Sequence, residues 1–409
     1  MLRTTQGALL RDLMASSTHL AGGDSFRAAP ESGQYDERAS TVLVVGGAGY
    51  VGSILVARLL DSGYQVIVLD PLLYGSDSIT RHIGRPGFEL HVADSRDEAI
   101  VRELLVRAGS IIHLGEIVGD PACDLDPTVT LSVNYMATVK LAELAAQAGV
   151  ERFIYPSSCS VYGATDDVVD EVGELNPVSL YGRIKRSAEE GILARRTDRF
   201  HPTVLRLATV YGLSPRPRFD LVVNILAGRA AADRRIVVQG GGQWRPFVHV
   251  ADAAELLAAT LTKPLELVSG EIFNLGSNDQ NYTISDVARI VRDRVPDVDI
   301  EVTDGVDRRN YRVSFDKTAT LLGFRPTRTV EDGVNEIVRA VESGSVADMK
   351  DPRHSNVRAL IETEARHRLW REDLVDGGQP ANAFRPRDVE VLQRNIPALR
   401  RVLVEDAVS

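Results

Sequence analysis

The segment VVGGAGYVGS (residues 44–53) places four glycines between an apolar run and a helical pattern. Its spacing, Gly46-x-x-Gly49-x-x-Gly52, is a variant of the glycine-rich turn that joins a strand to a helix and binds the pyrophosphate of a dinucleotide. Gly46 would allow the tight turn, Gly49 a close approach of the backbone to the phosphates, and Gly52 close packing of helix on strand. The N-terminus of the helix would offer free N–H groups to the phosphates. The segment therefore predicts a dinucleotide-binding turn.

Two acidic residues refine the prediction of the cofactor. Asp70 lies 18 residues after Gly52, at the end of the next predicted strand. A carboxylate there accepts hydrogen bonds from both hydroxyls of the adenosine ribose and repels a 2′-phosphate, which favours NAD over NADP. Asp94 ends the third predicted strand, where it can reach the adenine amine or cap a helix.

Short apolar runs alternate with helical patterns from Thr41 onward. This alternation predicts an α/β fold in which helices cover both faces of a doubly wound parallel sheet. The predicted strands lie at 41–45, 64–70, 88–94, 110–115, 152–158 and 201–208, and the main helices at 50–62, 128–148 and 179–196.

The regular alternation loosens after Gly212, which suggests a second domain. We predict a cofactor-binding domain over 41–212 and a smaller C-terminal α/β substrate-binding domain over 213–345, with 236–262 partly woven back into the first. Residues 1–40 read as a loose N-terminal tail. Residues 346–409 read as an extension of unknown role, with helices expected at 355–370 and 387–404.

Composition excludes several classes of function. The net charge is −10 and no basic stripe with interleaved aromatics is present, so we expect no nucleic-acid partner. No apolar run reaches about 18 residues, so we expect no membrane span. The two cysteines, Cys123 and Cys159, do not make a disulfide framework, and no Cys/His cluster has zinc spacing. We therefore expect reduced thiols, no metal and a cytoplasmic protein.

Three residues form a candidate reactive group. Tyr181 and Lys185 in YGRIK are four positions apart and share one face of a predicted helix. A free tyrosine has a pKa of about 10, and a neighbouring ammonium together with a nicotinamide cation would lower that pKa. Ser158 ends a predicted strand at its carboxyl end, where ligands bind in such sheets, and its hydroxyl can polarise the oxygen that Tyr181 deprotonates.

Together these motifs resemble the extended short-chain dehydrogenase/reductase family, in the branch that acts on nucleotide-linked sugars. The resemblance covers roughly residues 41–345, and rests on VGGAGYVG, Asp70, Asp94, HLGEIVGDP, VNYMAT with Asn134, SSCSVYG, YGRIK, LRLATVYG, RPFVHVADAA and FNLG. It implies a Rossmann-type fold, NAD, a nucleotide-linked sugar as substrate, and a homodimer for which helices 128–148 and 179–196 are the candidate contact.

The resemblance also assigns roles to individual residues. Ser158 and Tyr181 would be catalytic, with Tyr181 as general base or acid, and Lys185 would support Tyr181 and hold the nicotinamide ribose. The expected cofactor-binding residues are Gly46, Gly49, Tyr50, Val51, Gly52, Asp70, Asp94, Ser95, Leu114, Gly115, Asn134, Tyr181 and Lys185.

Some positions depart from the family pattern. The 4,6-dehydratases carry an Asp-Glu pair where this chain has Cys159 and Ser160, so no carboxylic acid is available there for loss of water. The 3,5-epimerising relatives place an acid/base cysteine at the position of Ser160, so that role does not transfer to Cys159. HLGE replaces the usual HLAA, which puts Glu116 near the expected nicotinamide ribose. We hypothesise that Glu116 is an additional catalytic acid or base, or binds a hydroxyl.

Residues on the substrate side are also expected from the resemblance. Thr209 stands where galactose-type 4-epimerases have Asn, so the sugar contacts differ. Arg245 matches the arginine that binds the diphosphate, and Arg309 is a possible second clamp, because a guanidinium binds phosphate oxygens in pairs. His249 is expected to hold a loop.

The first expectation for function is an NAD-dependent nucleotide-sugar epimerase, in which the sugar is oxidised transiently to a ketosugar. Three alternatives stay open. They are a reductase of a nucleotide-linked ketosugar or another carbonyl compound, a dehydratase with a non-standard acid such as Glu116, and a non-catalytic NAD-binding regulator. YGRIK argues against the regulator.

Overall fold

The computed structural model describes residues 37–305, 307–346, 348–369, 390–391 and 394–396. The predicted tail 1–40 lies outside these residues except for its last four. Most of the predicted helix 387–404 lies outside them as well.

The strands of the described part include those of a central sheet and those of three smaller ones. They are β1 Thr41–Val45, β2 Gln65–Leu69, β3 Phe88–His91, β4 Ser110–His113, β5 Arg152–Ser158, β6 Ala164–Val169, β7 His201–Leu207, β8 Thr209–Tyr211, β9 Arg235–Gln239, β10 Trp244–His249, β11 Ile272–Leu275, β12 Asn281–Thr283, β13 Asp299–Thr303 and β14 Asn310–Val313.

The helices of the described part lie mostly between these strands. They are α1 Gly52–Asp61, α2 Asp77–Thr80, α3 Glu98–Leu105, α4 Asp120–Cys123, α5 Pro127–Leu131 continued by the π-helical Ser132–Ala137 and by Thr138–Gln147, α6 Leu180–Leu193, α7 Val222–Asp233, α8 Val250–Thr260, α9 Leu265–Val268, α10 Ile284–Arg294, α11 Asp316–Leu321, α12 Val330–Glu342, α13 Asn356–Glu362 and α14 Ala365–Leu369.

The central sheet has seven strands in the order β11-β7-β5-β4-β1-β2-β3, and every neighbouring pair is parallel. All five residues of β1 are buried, as expected for a strand covered on both faces. One apolar core joins the sheet to α1 and α8, and a second joins it to α3, α5 and α6. This confirms the predicted doubly wound parallel sheet.

The strand order reverses at β1. The chain passes from β1 to β2 and β3 on one side and then returns to β4 on the other side. The loops that follow β1 and β4 therefore diverge at the carboxyl edge of the sheet. Such a switch point is where α/β sheets bind their ligands.

A third core lies beside the central sheet and joins α7, α10 and α12. Two of the small sheets that flank it, β12-β10-β8 and β13-β9, carry the strands of this region. The strand Ile272–Leu275 falls inside the predicted 213–345 domain but pairs with β7 as the seventh strand of the central sheet. The part woven back into the first domain thus extends beyond 236–262, because the chain after α8 returns to that sheet. The division into two domains stays a prediction.

A buried ion pair ties α6 to the central sheet. Glu189 on α6 accepts a hydrogen bond from Ser157 at the end of β5 and pairs with Arg206 on β7 at 2.7 Å, and both charged side chains are only 3% exposed. Since Ser157 precedes Ser158 and α6 carries Tyr181, this pair fixes the two elements that supply the candidate catalytic residues.

We predict that Glu189→Ala lowers the free energy of unfolding by about 3–5 kcal/mol, because it leaves the Arg206 charge buried without its partner. Urea denaturation measures this loss. The adjacent Glu190, whose side chain is 31% exposed, is the matched control, and Glu190→Ala is expected to cost less than about 1 kcal/mol. Equal losses of unfolding free energy in Glu189→Ala and Glu190→Ala would contradict the stabilising role of the Glu189–Arg206 pair.

Candidate active site

A cleft opens at the carboxyl edge of the central sheet, at the switch point. Most of the residues predicted from the sequence line it. They are Gly46, Gly49, Tyr50, Val51, Gly52, Asp70, Asp94, Ser95, Leu114, Gly115, Glu116, Ser158, Tyr181, Lys185, Thr209 and Arg309. Asn134 and Arg245 are not among the residues that line this cleft.

The glycine turn is as tight as its spacing predicts. Gly46 has φ +83°, and a Cβ added there would lie 2.6 Å from the backbone of Leu114 and Gly115 on the neighbouring loop. A Cβ at Gly52 would overlap the carbonyl oxygen of Gly46. Only glycine fits at these two positions, so the turn brings backbone atoms without side chains to the wall of the cleft.

Asp70 ends β2 and holds the glycine turn in place. Its two carboxylate oxygens accept hydrogen bonds from the backbone N–H groups of Ala48 at 2.9 Å and Leu72 at 2.8 Å. Burial raises the pKa of Asp70, and these two hydrogen bonds oppose that rise. Asp94 lies further along the same edge and pairs with Arg96 at 2.7 Å. The cap of α3 is Asp97, so Asp94 does not serve as that cap.

Ser158, Tyr181 and Lys185 meet in the cleft. Ser179 caps α6 by accepting a hydrogen bond from Gly182, and this start places Tyr181 and Lys185 one turn apart. Ser158 lies near the hydroxyl of Tyr181 and lowers its pKa. Ser158 accepts a hydrogen bond from the hydroxyl of Ser160 at 2.9 Å. Ser158 and Tyr181 both line the cleft, where a substrate oxygen can bind.

Glu116 forms a buried ion pair with Lys185. Its Oε2 lies 2.5 Å from the Lys185 Nζ, with the two side chains 1% and 5% exposed. Its Oε1 accepts hydrogen bonds from Tyr155 at 2.7 Å and from Thr138 at 3.4 Å. The carboxylate is therefore held by protein groups on both oxygens, and the structure places it against Lys185 rather than free for a substrate hydroxyl.

The predicted lowering of the Tyr181 pKa by an ammonium together with a nicotinamide cation stays a prediction, and the protein groups alone act in the opposite direction. Burial raises that pKa well above its usual value, and the negative charge of Glu116 raises it further. The nearby Ser158 side chain opposes the rise. The ammonium of Lys185 is offset by Glu116 at 2.5 Å, so the protein keeps Tyr181 protonated until a positive charge binds nearby.

Two of the residues predicted for the site, Asn134 and Arg245, do not line the cleft. The Asn134 amide is fully buried and bonds both the N–H and the carbonyl of Ile117, at 2.8 and 2.7 Å. It therefore fixes the loop after β4 instead of lining the site. Arg245 is 4% exposed, pairs with Asp307 at 2.8 Å and donates to the carbonyl of Trp244. Its guanidinium contacts protein acceptors in this structure. The expected contact of Arg245 with a diphosphate stays a prediction.

Arg309 lies in the cleft, whereas His249 is not among the residues that line it. Arg309 lines the cleft and bridges Asp307 at 2.7 Å and Asp120 at 3.1 Å. His249 caps α8 and pairs with Glu336 at 2.9 Å, as a residue that holds a loop does.

The sequence did not single out several polar residues of the cleft. Arg216 stacks on the Tyr74 ring at 4.0 Å. Its Nε and Nη2 and the Tyr74 hydroxyl are buried without a hydrogen-bond partner among the described residues. Burial lowers the pKa of Arg216 to about 10, and it keeps its charge at pH 7. The two arginines in SPRPRFD could have indicated an anion-binding residue in this loop. Nothing in the sequence, however, shows that the loop turns back toward Asp70.

The two cysteines lie close to the site but are not exposed in it. Cys159 donates to the carbonyl of Arg206, and Cys123 to that of Ile117, both at 3.3 Å. Both are unlinked, and burial raises the pKa of both thiols. This agrees with leaving Cys159 out of the acid–base chemistry.

We predict that a thiol reagent labels both cysteines of the native protein at least about a hundredfold more slowly than those of the unfolded protein. Each unit by which a thiol pKa rises cuts the reactive thiolate tenfold. The time course of labelling, with and without denaturant, tests this. Rapid labelling of one cysteine in the native protein would show an exposed, reactive thiol and would reopen a catalytic role for Cys159.

The described part of the chain offers neither a membrane-spanning helix nor a cluster of metal ligands. None of its helices is both long and apolar enough to cross a membrane. Within the same residues, no group of three or more His, Cys, Asp or Glu side chains has the geometry to hold a metal ion.

Comparison with known proteins gives consistent relatives. The chain is 29% identical to UDP-glucuronic acid decarboxylase 2 of Arabidopsis thaliana over 327 residues, which cover 76% of this chain and 70% of that protein. It is 27% identical to the putative UDP-glucose 4-epimerase of Methanocaldococcus jannaschii over 318 residues, which cover 74% of this chain and 99% of that protein.

Solved structures agree with these sequences. The UDP-glucuronic acid 4-epimerase from Bacillus cereus, in complex with UDP-glucuronic acid and NAD, matches with a TM-score of 0.67 and 25% identity. The match covers 74% of this chain and 99% of that chain. The model of the NAD dependent epimerase/dehydratase family matches residues 42–276. The chain therefore belongs to this family and is an NAD-dependent enzyme.

Proposed function

We propose that the protein is an NAD-dependent epimerase of a nucleotide-linked sugar. One observation carries the proposal. Ser158, Tyr181 and Lys185 converge in the cofactor cleft, while the two positions after Ser158 are Cys159 and Ser160, which supply no carboxylic acid. Oxidation of a sugar carbinol is therefore supported, and acid-assisted loss of water at these positions is not.

The residues of the cleft fit NAD. Gly46 and Gly52 allow the tight turn because a Cβ at either position would clash with backbone atoms, and the Asp70 carboxylate directly follows β2, where it can accept from ribose hydroxyls. NAD bound in this cleft would supply the acceptor for a hydride from a sugar carbon and would serve as its donor in the return step. The positive charge of Arg216, without a hydrogen-bond partner on Nε and Nη2, suits a pyrophosphate in the same cleft.

Tyr181 is the proposed base. The substrate hydroxyl binds between Ser158 and Tyr181, and its proton passes to the Tyr181 oxygen as the carbon is oxidised to a ketone. The return step moves that proton back to the ketone oxygen after the sugar has presented its other face. Lys185, held by Glu116 and by the carbonyl of Pro156 at 2.6 Å, positions the nicotinamide ribose and stabilises the phenolate.

The proposed substrate is a nucleoside diphosphate sugar. Arg309 and Asp120 line the cleft as an ion pair at 3.1 Å, and we place the diphosphate and the sugar hydroxyls beside them. Thr209 adds a hydroxyl to the lining of the cleft. The B. cereus relative binds UDP-glucuronic acid, which supports this class of ligand.

Decarboxylation of a nucleotide-linked uronic acid is the second candidate. The similarity to UDP-glucuronic acid decarboxylase 2 favours it. The same trio would oxidise the sugar to a β-keto acid, which loses carbon dioxide without an added acid. The replacement of the acid pair by Cys159 and Ser160 therefore does not separate this reaction from epimerisation.

Product mass separates the candidates when the purified protein is offered UDP-, dTDP-, GDP- and ADP-sugars, with UDP-glucuronic acid among them. An unchanged mass with inverted configuration supports epimerisation. A loss of carbon dioxide supports decarboxylation, and a loss of water supports dehydration. If the protein consumes NADH while it reduces a ketosugar, and forms none of the three products above, the proposal is overturned in favour of a reductase.

We predict that Tyr181→Phe lowers kcat of the active reaction by about 10²–10⁴-fold, because the proton then lacks its acceptor. NAD should remain bound. Tyr282→Phe is the control, since Tyr282 does not line the cleft. A Tyr181→Phe enzyme with kcat within about threefold of the native value would remove Tyr181 from the mechanism.

We predict that Glu116→Gln shifts the rising limb of the kcat–pH profile to lower pH by about one unit. The charge of Glu116 raises the pKa of Tyr181, so its removal lowers that pKa, and the phenolate then forms at lower pH. The exposed Glu174 provides the control, Glu174→Gln. An unshifted limb would show that Glu116 does not act on Tyr181.

The same variant tests Glu116 as a catalytic acid or base. Full turnover at the new optimum would show that Glu116 tunes Tyr181 and transfers no proton itself. Loss of turnover at every pH would support the catalytic hypothesis and the dehydratase alternative.

The homodimer and the cytoplasmic location stay predictions. If α5 and α6 form the dimer contact, residues 394–396 lie beside that contact, because Asn395 bonds Ser187 on α6 at 3.2 Å. A cytoplasmic location agrees with the unlinked Cys123 and Cys159.

A further inference from the structure

We propose that residues 348–369, which we call the cover segment, complete the binding site for the cofactor, and that Asn356 contacts the bound dinucleotide. The segment lies outside residues 42–276, which carry the family match. The inference rests on the binding of NAD and not on the reaction proposed for the sugar.

The first half of the cover segment is anchored near the middle of the cleft. The backbone N–H of Asn356 donates to Asp220 at 2.8 Å, and its side-chain Nδ2 donates to the carbonyl of Val118 at 2.8 Å. The N–H of Phe219 donates to the carbonyl of His354, also at 2.8 Å. These contacts join the segment to the loops after β4 and β8, which line the site.

The second half reaches the opposite end of the cleft. The carbonyl of Leu369 accepts a hydrogen bond from Arg96 at 2.8 Å, beside Asp94. Arg368 donates to the carbonyl of Leu72, in the loop that follows Asp70. Asn356 and Leu369 both line the cleft. The segment therefore runs along the cleft, from the loop beside Glu116 to the loops that carry the proposed adenosine contacts.

Apolar packing fixes the segment over the site. Leu360, Ala365 and Leu369 are 0–3% exposed and share a core with Ile117 and Tyr181. Because this core includes the proposed base, the cover segment is packed into the active site and is more than a surface appendage.

Asn356 lines the cleft and has one buried acceptor that lacks a partner. The residue is 5% exposed, and the bond from its Nδ2 to Val118 fixes the orientation of the amide. Its Oδ1 is buried and has no hydrogen-bond partner among the described residues. A buried acceptor without a partner is costly, so this position calls for a donor from a ligand. A ribose hydroxyl or the carboxamide N–H of the nicotinamide provides one.

The arrangement has a consequence for the exchange of cofactor. A dinucleotide that lies between the glycine turn and the cover segment leaves only when the segment moves. NAD is then released slowly, and an enzyme that returns its hydride within each cycle can keep the same NAD.

The test compares Asn356→Ala with Ile361→Ala, a control on the same helix at a residue that is 59% exposed. Each purified holoprotein is diluted into an excess of a second dehydrogenase that captures free NAD, and the release rate is recorded. We expect release about tenfold faster from Asn356→Ala, as for the loss of one buried hydrogen bond, and no change from the control. Equal release from the native protein and from Asn356→Ala overturns the contact.

A second measurement uses the native chain and needs no variant. Trypsin can cut the cover segment after Arg353 and Arg358, which are partly exposed. If the segment covers bound NAD, saturating NAD slows cleavage there severalfold relative to protein stripped of cofactor. Cleavage that is insensitive to NAD overturns the inference. No sugar is present in either experiment, so a failed epimerase assay leaves these outcomes readable.

Discussion

The reversal of strand order at β1 is the constraint on which the site depends. Since β2 and β4 lie on opposite sides of β1, the loops after β1 and β4 separate at the carboxyl edge and leave a cleft. The backbone of Gly46 lies against Leu114 and Gly115 because the two strands are adjacent, with the N–H of Leu114 bonded to the carbonyl of Val45 at 2.7 Å. Any side chain at Gly46 would force these loops apart, so the conformation of the turn and the topology of the sheet support each other.

The buried pair of Glu116 and Lys185 sets the electrostatics of the chemistry. An ammonium alone beside Tyr181 would favour the phenolate, but a carboxylate 2.5 Å away offsets it. Burial and Glu116 then keep Tyr181 protonated, and a nearby positive charge is needed to reverse this. The cationic nicotinamide of NAD supplies that charge when bound. In the proposed mechanism, Tyr181 as base would then depend on the oxidised cofactor, which would couple proton removal to the presence of a hydride acceptor.

Local motifs were readable from the sequence, and long-range contacts were not. The glycine turn, Asp70, and the Tyr181–Lys185 pair depend on spacing within one strand–turn–helix unit or one helix turn, so their positions follow from the sequence. Glu116, the partner of Lys185, is 69 residues away in the loop after β4, so only the departure HLGE hinted at this pair. Asn134 was expected at the cofactor but holds Ile117, because the register of α5 decides where its amide points. No sequence motif marks the segment after residue 345 as part of the cleft. Only its packing in the structure indicates this.

The cover segment, together with Ser158, Tyr181 and Lys185, favours some of the candidate reactions over others. A reductase must exchange its dinucleotide in every turnover, and a segment packed from Asn356 to Leu369 along the cleft opposes that exchange. A reaction that oxidises and then reduces the same sugar needs no exchange. It also benefits from the exclusion of water, since a ketosugar held beside Tyr181 under apolar side chains is protected until the hydride returns. The packing of the cover segment along the cleft and the absence of a carboxyl group at Cys159 and Ser160 are independent features of the chain. Both favour chemistry in which the NAD that accepts the hydride also gives it back.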